Sequence, residues 1–261
     1  MLLENPRALR DQYNAALLED VIPFWLRHSL DRECGGYFTC LNRDGSVFDT
    51  DKFVWLQARQ VWMFSKFYNV LEPRGEFLET ATLGAEFLRA HGRDARGDWY
   101  FALDRRGTPL VQPYNIFSDC FAAMAFAEYG RASGHAWAMD VARQTFERIL
   151  ARWDNPKGQY NKLVPGSRPM RSMVLPMITV NLAMELGEAI PDYPVEEVVR
   201  ENLRRVMDEF VDRRERLIFE NVAPDGTHPD TFDGRLINPG HGIEAMWFVM
   251  DAAAQLGDEE M

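Results

Sequence analysis

The chain has 261 residues, of which 46% are hydrophobic and 26% charged, and its formal net charge is −11. That balance supports a sizeable buried core, while the acidic excess argues against nucleic acid or an anionic membrane as a partner, since either needs a basic face. No stretch approaches the ~18 uncharged apolar residues of a membrane span, and Met1-Leu2-Leu3-Glu4-Asn5-Pro6 lacks the make-up of a signal peptide, so a cytoplasmic protein is expected.

The dominant period is helical. Over residues 7–30, apolar side chains fall at Leu9, Tyr13, Leu17, Val21, Phe24 and Trp25, close to one face of a 3.6-residue repeat. Cys34-Gly35-Gly36-Tyr37-Phe38-Thr39-Cys40-Leu41 then alternates and turns at Arg43-Asp44-Gly45, which reads as a short hairpin. Helices follow over 52–70 and 77–91. The segment Gly97–Gly107 repeats the hairpin theme, and helices are predicted over 117–131 and 136–153. Residues 155–172, with three prolines and two glycines, form the most irregular stretch and read as a long loop. Further helices are predicted over 173–188, 195–212 and 239–256, with a third hairpin between the last two, at Arg216–Asn221, turning at Asp225-Gly226. Gly36, Gly97 and Gly158 are spaced 61 residues apart, the length of two helices plus a loop or hairpin. A repeated unit of that kind buries its apolar face against its neighbours, as an open solenoid or a closed toroid. Nothing resembling a linker divides the chain, so 1–261 is read as one all-α domain.

Three segments could carry chemistry. In Asn238-Pro239-Gly240-His241-Gly242-Ile243-Glu244, Asn238 suits a helix N-cap and Pro239 the first helical position. His241 then sits in the first turn, where the helix dipole favours the neutral ring that a general base needs. Glu244 lies three residues on, along the same face. In Phe53–Trp62, Trp55, Arg59 and Trp62 form one stripe. Aromatic rings beside a guanidinium suit a sugar pocket, although by spacing alone the stripe reads as core with Arg59 reaching outward. In Pro113–Phe121 a loop enters a helix with Ser118 or Asp119 near its cap and Tyr114 before it. The other histidines, His28, His91, His135 and His228, have no metal spacing, the three cysteines Cys34, Cys40 and Cys120 match no zinc pattern, and no phosphate-binding glycine loop occurs.

Taken together, Gly35–Leu41, Lys52–Met63, Ile116–Phe121 and Asn238–Glu244 resemble the N-acylglucosamine 2-epimerase family. The resemblance implies an (α/α)6 barrel of twelve helices with its site at one mouth, of which about eight are legible here. It implies reversible C2 epimerisation of N-acetylglucosamine to N-acetylmannosamine, a small-molecule amino sugar as ligand, no required cofactor, ATP as an activator rather than a reactant, and a homodimer. It makes His241 one of two acid/base histidines, Arg59 and Arg235 substrate-binding cations, and Tyr114 and Glu244 supporting residues; the second histidine is expected beyond Met261. Trp62 and Asn238 complete the expected substrate-binding set. Relatives of the mannose isomerase and cellobiose 2-epimerase type carry a further histidine on the helix matching 173–188, where this chain has none. Two other readings remain open from sequence: a non-enzymatic helical-repeat binding module, and a glycoside-processing barrel that relies on paired carboxylates.

Overall fold

The computed structural model describes residues 5–164 and 166–258. Its first helical rod is α1 (Pro6–Ala15), continued through a π-helical turn at Ala16–Val21 into α2 (Ile22–His28). Asn5 starts it, its side-chain oxygen accepting from the Ala8 amide at 3.1 Å ahead of Pro6 at the first position. Then come α3 (Val54–Lys66), α4 (Gly75–His91), α5 (Phe117–Ser133), α6 (Ala136–Ala151), α7 (Val174–Ala189), α8 (Glu196–Arg205) and α9 (Pro239–Leu256). All eight helices predicted from periodicity are present. The differences are at their ends: the 52–70 helix starts two residues late, because Lys52–Phe53 is a strand, and the 195–212 helix ends in a π-helical turn at Val206–Phe210. No helix among the described residues is long and apolar enough to cross a membrane.

The rods alternate between two layers. α3 packs on α5, α5 on α7 and α7 on α9, forming an inner row, while α4, α6 and α8 back α3, α5 and α7 from outside. Position in this array explains composition. α5 is covered on several sides at once, and its residues from Ser118 to Gly130 are almost all buried, rich in alanine so that neighbouring helices can approach. α8, an outer helix, keeps only Val199, Asn202 and Leu203 buried. On α9, Ile243, Trp247 and Met250 form an exposed apolar stripe, 73%, 52% and 72% accessible.

Short strands join the helix pairs at one end. β1 (Cys40–Leu41) pairs with β2 (Val47–Asp49), and β3 (Lys52–Phe53) pairs with β4 (Ala102–Leu103), which pairs with β5 (Pro109–Val111). The first two predicted hairpins are therefore local. The third is not. β7 (Val211–Asp212) pairs with β8 (Leu217–Ile218), and β9 (Asn221–Val222) pairs with the distant β6 (Arg171–Ser172). The Asp225-Gly226 turn does form, with the Ala223 amide donating to the Thr227 carbonyl at 3.0 Å.

The internal repeat accounts for two histidines. His28 ends α2 and His91 ends α4, each tilted on a phenylalanine four residues earlier at about 5 Å between ring centroids. Over each ring sits a turn glycine with positive φ, Gly45 at 85° and Gly107 at 92°; a Cβ at either position would lie 2.3 Å from the imidazole. Both the backbone angle and the space require glycine there.

A buried ion cluster fastens the strand end. Lys52, fully buried, donates to Asp31 Oδ2 at 2.9 Å and to the carbonyls of Gly35 and Arg105 at 2.6 and 2.7 Å. Arg105 grips the same carboxylate through Nε at 2.9 Å and Nη2 at 3.0 Å, and reaches Glu33 at 2.8 Å. Burial by itself would raise the Asp31 carboxyl, but the bonds from Arg105 and Lys52 outweigh it and hold it at about 2. Burial likewise pulls the Lys52 ammonium below its ordinary value, against the pull of Asp31. The cluster ties the loop after α2 to the β4–β5 hairpin and to β3, the strand that precedes α3.

Candidate active site

His241 occupies the first turn of α9 as its sequence implies. The Asn238 side-chain oxygen accepts from the His241 amide at 3.3 Å, making Asn238 the N-cap. The amide nitrogen of the same side chain lies 3.0 Å from His241 Nδ1. The stronger partner of the ring was not among the residues singled out from sequence. Glu220, which follows β8, places both carboxylate oxygens against Nδ1, at 2.9 and 3.0 Å. A carboxylate can only accept, so this contact puts the proton on Nδ1 and leaves the Nε2 lone pair free to take another. Nε2 makes no hydrogen bond among the described residues. The side chain of Glu220 is only 11% exposed and that of His241 36%, so the orienting bond is shielded while the ring keeps an open edge.

The backbone holds Glu220 from two sides. Its amide donates to the Leu236 carbonyl at 3.0 Å, just ahead of α9, and its carbonyl accepts from the Met173 amide at 2.9 Å, just ahead of α7. The β6–β9 pairing continues that link. The tertiary connection that displaced the expected local hairpin is thus what brings a carboxylate to the base of the His241 ring.

One helical turn along from His241, Glu244 lines a cleft of about 210 Å³ between the four inner helices. Each helix contributes residues three or four apart: Arg59 and Trp62 from α3, Phe121 and Met124 from α5, Ile178, Asn181 and Glu185 from α7, and Glu244, Trp247 and Phe248 from α9. Arg59 is exposed, its guanidinium 4.8 Å from the Phe121 ring centroid and 5.9 Å from that of Trp55. Trp62 Nε1 donates to Glu185 Oε2 at 3.0 Å, and Lys66 Nζ reaches the same carboxylate at 3.2 Å. Rings, a cation and carboxylates around a small cleft suit a polyhydroxylated ligand.

Other predicted residues lie elsewhere. Tyr114 is 40% exposed, edge-on to Phe101 at 5.0 Å, and does not line the cleft. Arg235 sits in a single 3-10 turn with Asp230 at 2.8 Å, both largely exposed and away from the cleft lining. Asn238 spends its side-chain oxygen on the cap. Ser118 and Asp119 fall inside the first turn of α5 rather than at its cap, since the helix begins from Ile116 with Asn115 Oδ1 accepting from the Phe117 amide at 3.0 Å. Asp119 is fully buried, and burial raises its carboxyl to about 7 although Arg152 stands 3.3 Å away. Cys34, Cys40 and Cys120 are free thiols, and burial pushes that of Cys120 up. Among the described residues no group of three or more His, Cys, Asp or Glu side chains could hold a metal ion.

Comparison with known proteins bears on the family and the fold. Residues 36–261 match the family model for N-acylglucosamine 2-epimerase (GlcNAc 2-epimerase). The N-acylglucosamine 2-epimerase of Bos taurus is 38% identical over 265 residues, covering 99% of this chain and 62% of the bovine protein, and that of Homo sapiens is 36% identical over 252 residues, covering 94% and 58%. The chain thus spans about three-fifths of the length of these relatives. The solved structure of cellobiose 2-epimerase from Bacillus thermoamylovorans B4167 superposes with a TM-score of 0.82 at 21% identity, over 96% of this chain and 68% of that one, and shows the shared barrel of paired helices. By its sequence match over nearly its whole length, the chain belongs to the N-acylglucosamine 2-epimerase family.

Proposed function

We propose that the chain carries one acid/base half of a sugar 2-epimerase that interconverts N-acetylglucosamine and N-acetylmannosamine. The observation that carries this reading is the Glu220–His241 pair at the N-terminus of α9, beside a cleft that holds Arg59 and Glu244. Epimerisation at C2 of an open-chain sugar removes a proton α to the aldehyde and returns one to the opposite face. His241 Nε2 takes or gives the proton on one face, while Glu220 holds the tautomer and stabilises the positive ring formed after transfer. The Arg59 guanidinium donates to the oxygen that becomes enolate, where charge develops in the transition state. Glu244 accepts from sugar hydroxyls. In this reading the opposite face of C2 is served by a second histidine, on the part of the family's length that this chain does not span. ATP enters only as an activator, and no step passes through it. The cleft, lined by Arg59, Glu185 and Glu244 among aromatic and apolar side chains, suits a neutral polyhydroxylated sugar. A homodimer and a cytoplasmic location belong to the same reading.

The test is exchange of the C2 proton of N-acetylmannosamine in deuterated water, followed by NMR, with the chain and its His241→Ala variant. Exchange that disappears in the variant supports the assignment. Exchange that persists removes His241 from the mechanism, and a glycoside-processing reading would then look to the carboxylates of the cleft. Exchange with mannose in place of the amino sugar would move the chain to the isomerase type of substrate.

A further inference from the structure

Away from the cleft, three arginines of the outer wall are unevenly paired. Arg148 on α6 gives Nη2 to Asp98 Oδ1 at 2.5 Å, but its Nη1 has no acceptor among the described residues and its Nε is buried without one. Arg96 stands 3.5 Å from Asp94 and is exposed. Arg93, in the loop after α4, is half-buried and makes no hydrogen bond or ion pair among the described residues. Its guanidinium lies over the buried Trp99 ring, 5.2 Å from the centroid. All three arginines line one hollow of about 490 Å³ between the Asp94–Gly97 turn and the later turns of α6, with Glu147 as the carboxylate on its wall. Gly97 closes that turn at φ 88°, and a Cβ there would touch the Arg148 guanidinium at 3.7 Å. The hollow shares no lining residue with the cleft beside His241.

A guanidinium partly out of water and without an acceptor is costly, and a like charge beside it adds to the cost. Burial, and after it the Arg148 charge, pulls the Arg93 guanidinium below its ordinary value, yet arginine stays charged. An anion in the hollow relieves both costs. A phosphate group carries close to two negative charges, and its oxygens point in several directions. It can therefore accept from Arg93 and Arg148 together, with Arg96 adding charge at the rim. A carboxylate has one charge and two oxygens in one plane, which a single guanidinium fork satisfies.

We propose that Arg93, Arg96 and Arg148 form a binding site for a phosphate-type oxyanion, either the free anion or the phosphoryl group of a small organic ester. The site stands apart from the acid/base chemistry and does not depend on the epimerase reading. A bound anion ties the turn after α4 to α6, two outer elements that the strand end otherwise joins through the Asp98–Arg148 pair.

The test is isothermal titration calorimetry of the chain with inorganic phosphate, glycerol phosphate and acetate at constant ionic strength, repeated on Arg93→Gln. Arg93 has no protein hydrogen bond to lose, so the variant is expected to fold. Circular dichroism checks this, and Arg93→Lys, which keeps the charge and loses the fork, serves if it does not. NMR of the Gly97 amide and the Arg93 Nε–H locates the ligand. The expected result is saturable one-to-one binding of phosphate, of its ester or of both, with shifts at Gly97 and Arg93 and no saturation by acetate. Binding then weakens roughly tenfold to hundredfold in Arg93→Gln, the size of a charge-assisted hydrogen bond removed. Binding of free phosphate assigns the site to the anion itself, and binding of the ester alone assigns it to a phosphoryl group on an organic carrier. Absence of saturable binding, equal saturation by acetate, or binding unchanged in the folded variant overturns the site. Displacement of the phosphate by N-acetylmannosamine overturns it too, since the anion then sits in the cleft.

Discussion

Replacing Glu220 by glutamine tests the Glu220–His241 pair beside the cleft. The side chain keeps its length, so its oxygen can still meet His241 Nδ1 near the present 2.9 Å. What disappears is the negative charge. Hydrogen bonds to a charged group are worth roughly 1.5–3 kcal/mol, against about 1 kcal/mol for a neutral pair, so about 1–2 kcal/mol of stabilisation of the protonated ring is lost. That slows a step in which His241 becomes cationic by roughly fivefold to thirtyfold. A second effect adds to it. A glutamine NH2 can turn to donate to Nδ1, which moves the ring proton to Nε2 and removes the base from the substrate side; an equivalent tautomer error costs about 10⁴ in a serine protease triad. Two assays separate these effects. C2 exchange of N-acetylmannosamine reads the rate, and long-range proton–nitrogen NMR of the imidazole reads the tautomer without needing turnover. The expected result is Nδ1–H in the unsubstituted chain and a mixed or inverted tautomer, with slower exchange, in Glu220→Gln. A neutral His241 carrying its proton on Nε2 in the unsubstituted chain would refute the argument, whatever the rate.

The other predictions concern the framework. Lys52→Met removes three donated bonds in a fully buried setting and strips Asp31 of one of its two cations, so chemical denaturation should show a loss of roughly 3–5 kcal/mol. Because the folded-state Asp31 carboxyl is depressed to about 2 from 3.8, its contribution of about 2 kcal/mol is fully present above pH ~4 and lost as pH falls through about 2. Urea midpoints measured from pH 5 to pH 2 should fall over that window, and less steeply in Lys52→Met. Asp119 has the opposite sign. Its carboxyl is raised to about 7, so the folded state holds a proton that the unfolded state releases, and stability declines as pH rises from ~4 to ~7. Asp119→Asn, which mimics the protonated form, should be the more stable protein at pH 8 and show a flatter profile across that range; an Asn variant that is less stable at pH 8 than at pH 5 would contradict this.

Much of the framework is local and was readable in advance. Eight helices follow from apolar periodicity, and the first two hairpins from alternation and turn glycines, because each of these signals acts over a few residues. The cap of α9 by Asn238 belongs to the same class, since the capping atom and the amide it accepts from are three residues apart. So does the stripe of Arg59 and Trp62, which is one turn of helix; spacing alone made it core, and only the facing stripes of α5, α7 and α9 show that it borders a cleft.

What tertiary structure decided are the contacts between charges far apart in the chain. Glu220 looks like the end of an apolar hairpin segment, its one sequence signal being a lone carboxylate closing Arg216-Leu217-Ile218-Phe219. Pairing of β6 with β9 and the bonds to Leu236 and Met173 set its backbone, and only then does it reach an imidazole 21 residues away. Lys52, Asp31 and Arg105 were not singled out from sequence, yet they meet in a buried cluster across separations of up to 74 residues. Tyr114 and Arg235 stand on loops outside the lining of the cleft, as His241 itself does. The amino-acid sequence determined which segments form helices and which turns join them, since backbone propensity and side-chain periodicity are short-range. Which carboxylate meets which base was left to helix packing and strand pairing, because a charge contact depends on distance in space, and only the assembled inner row brings α3, α5, α7 and α9 round one cleft.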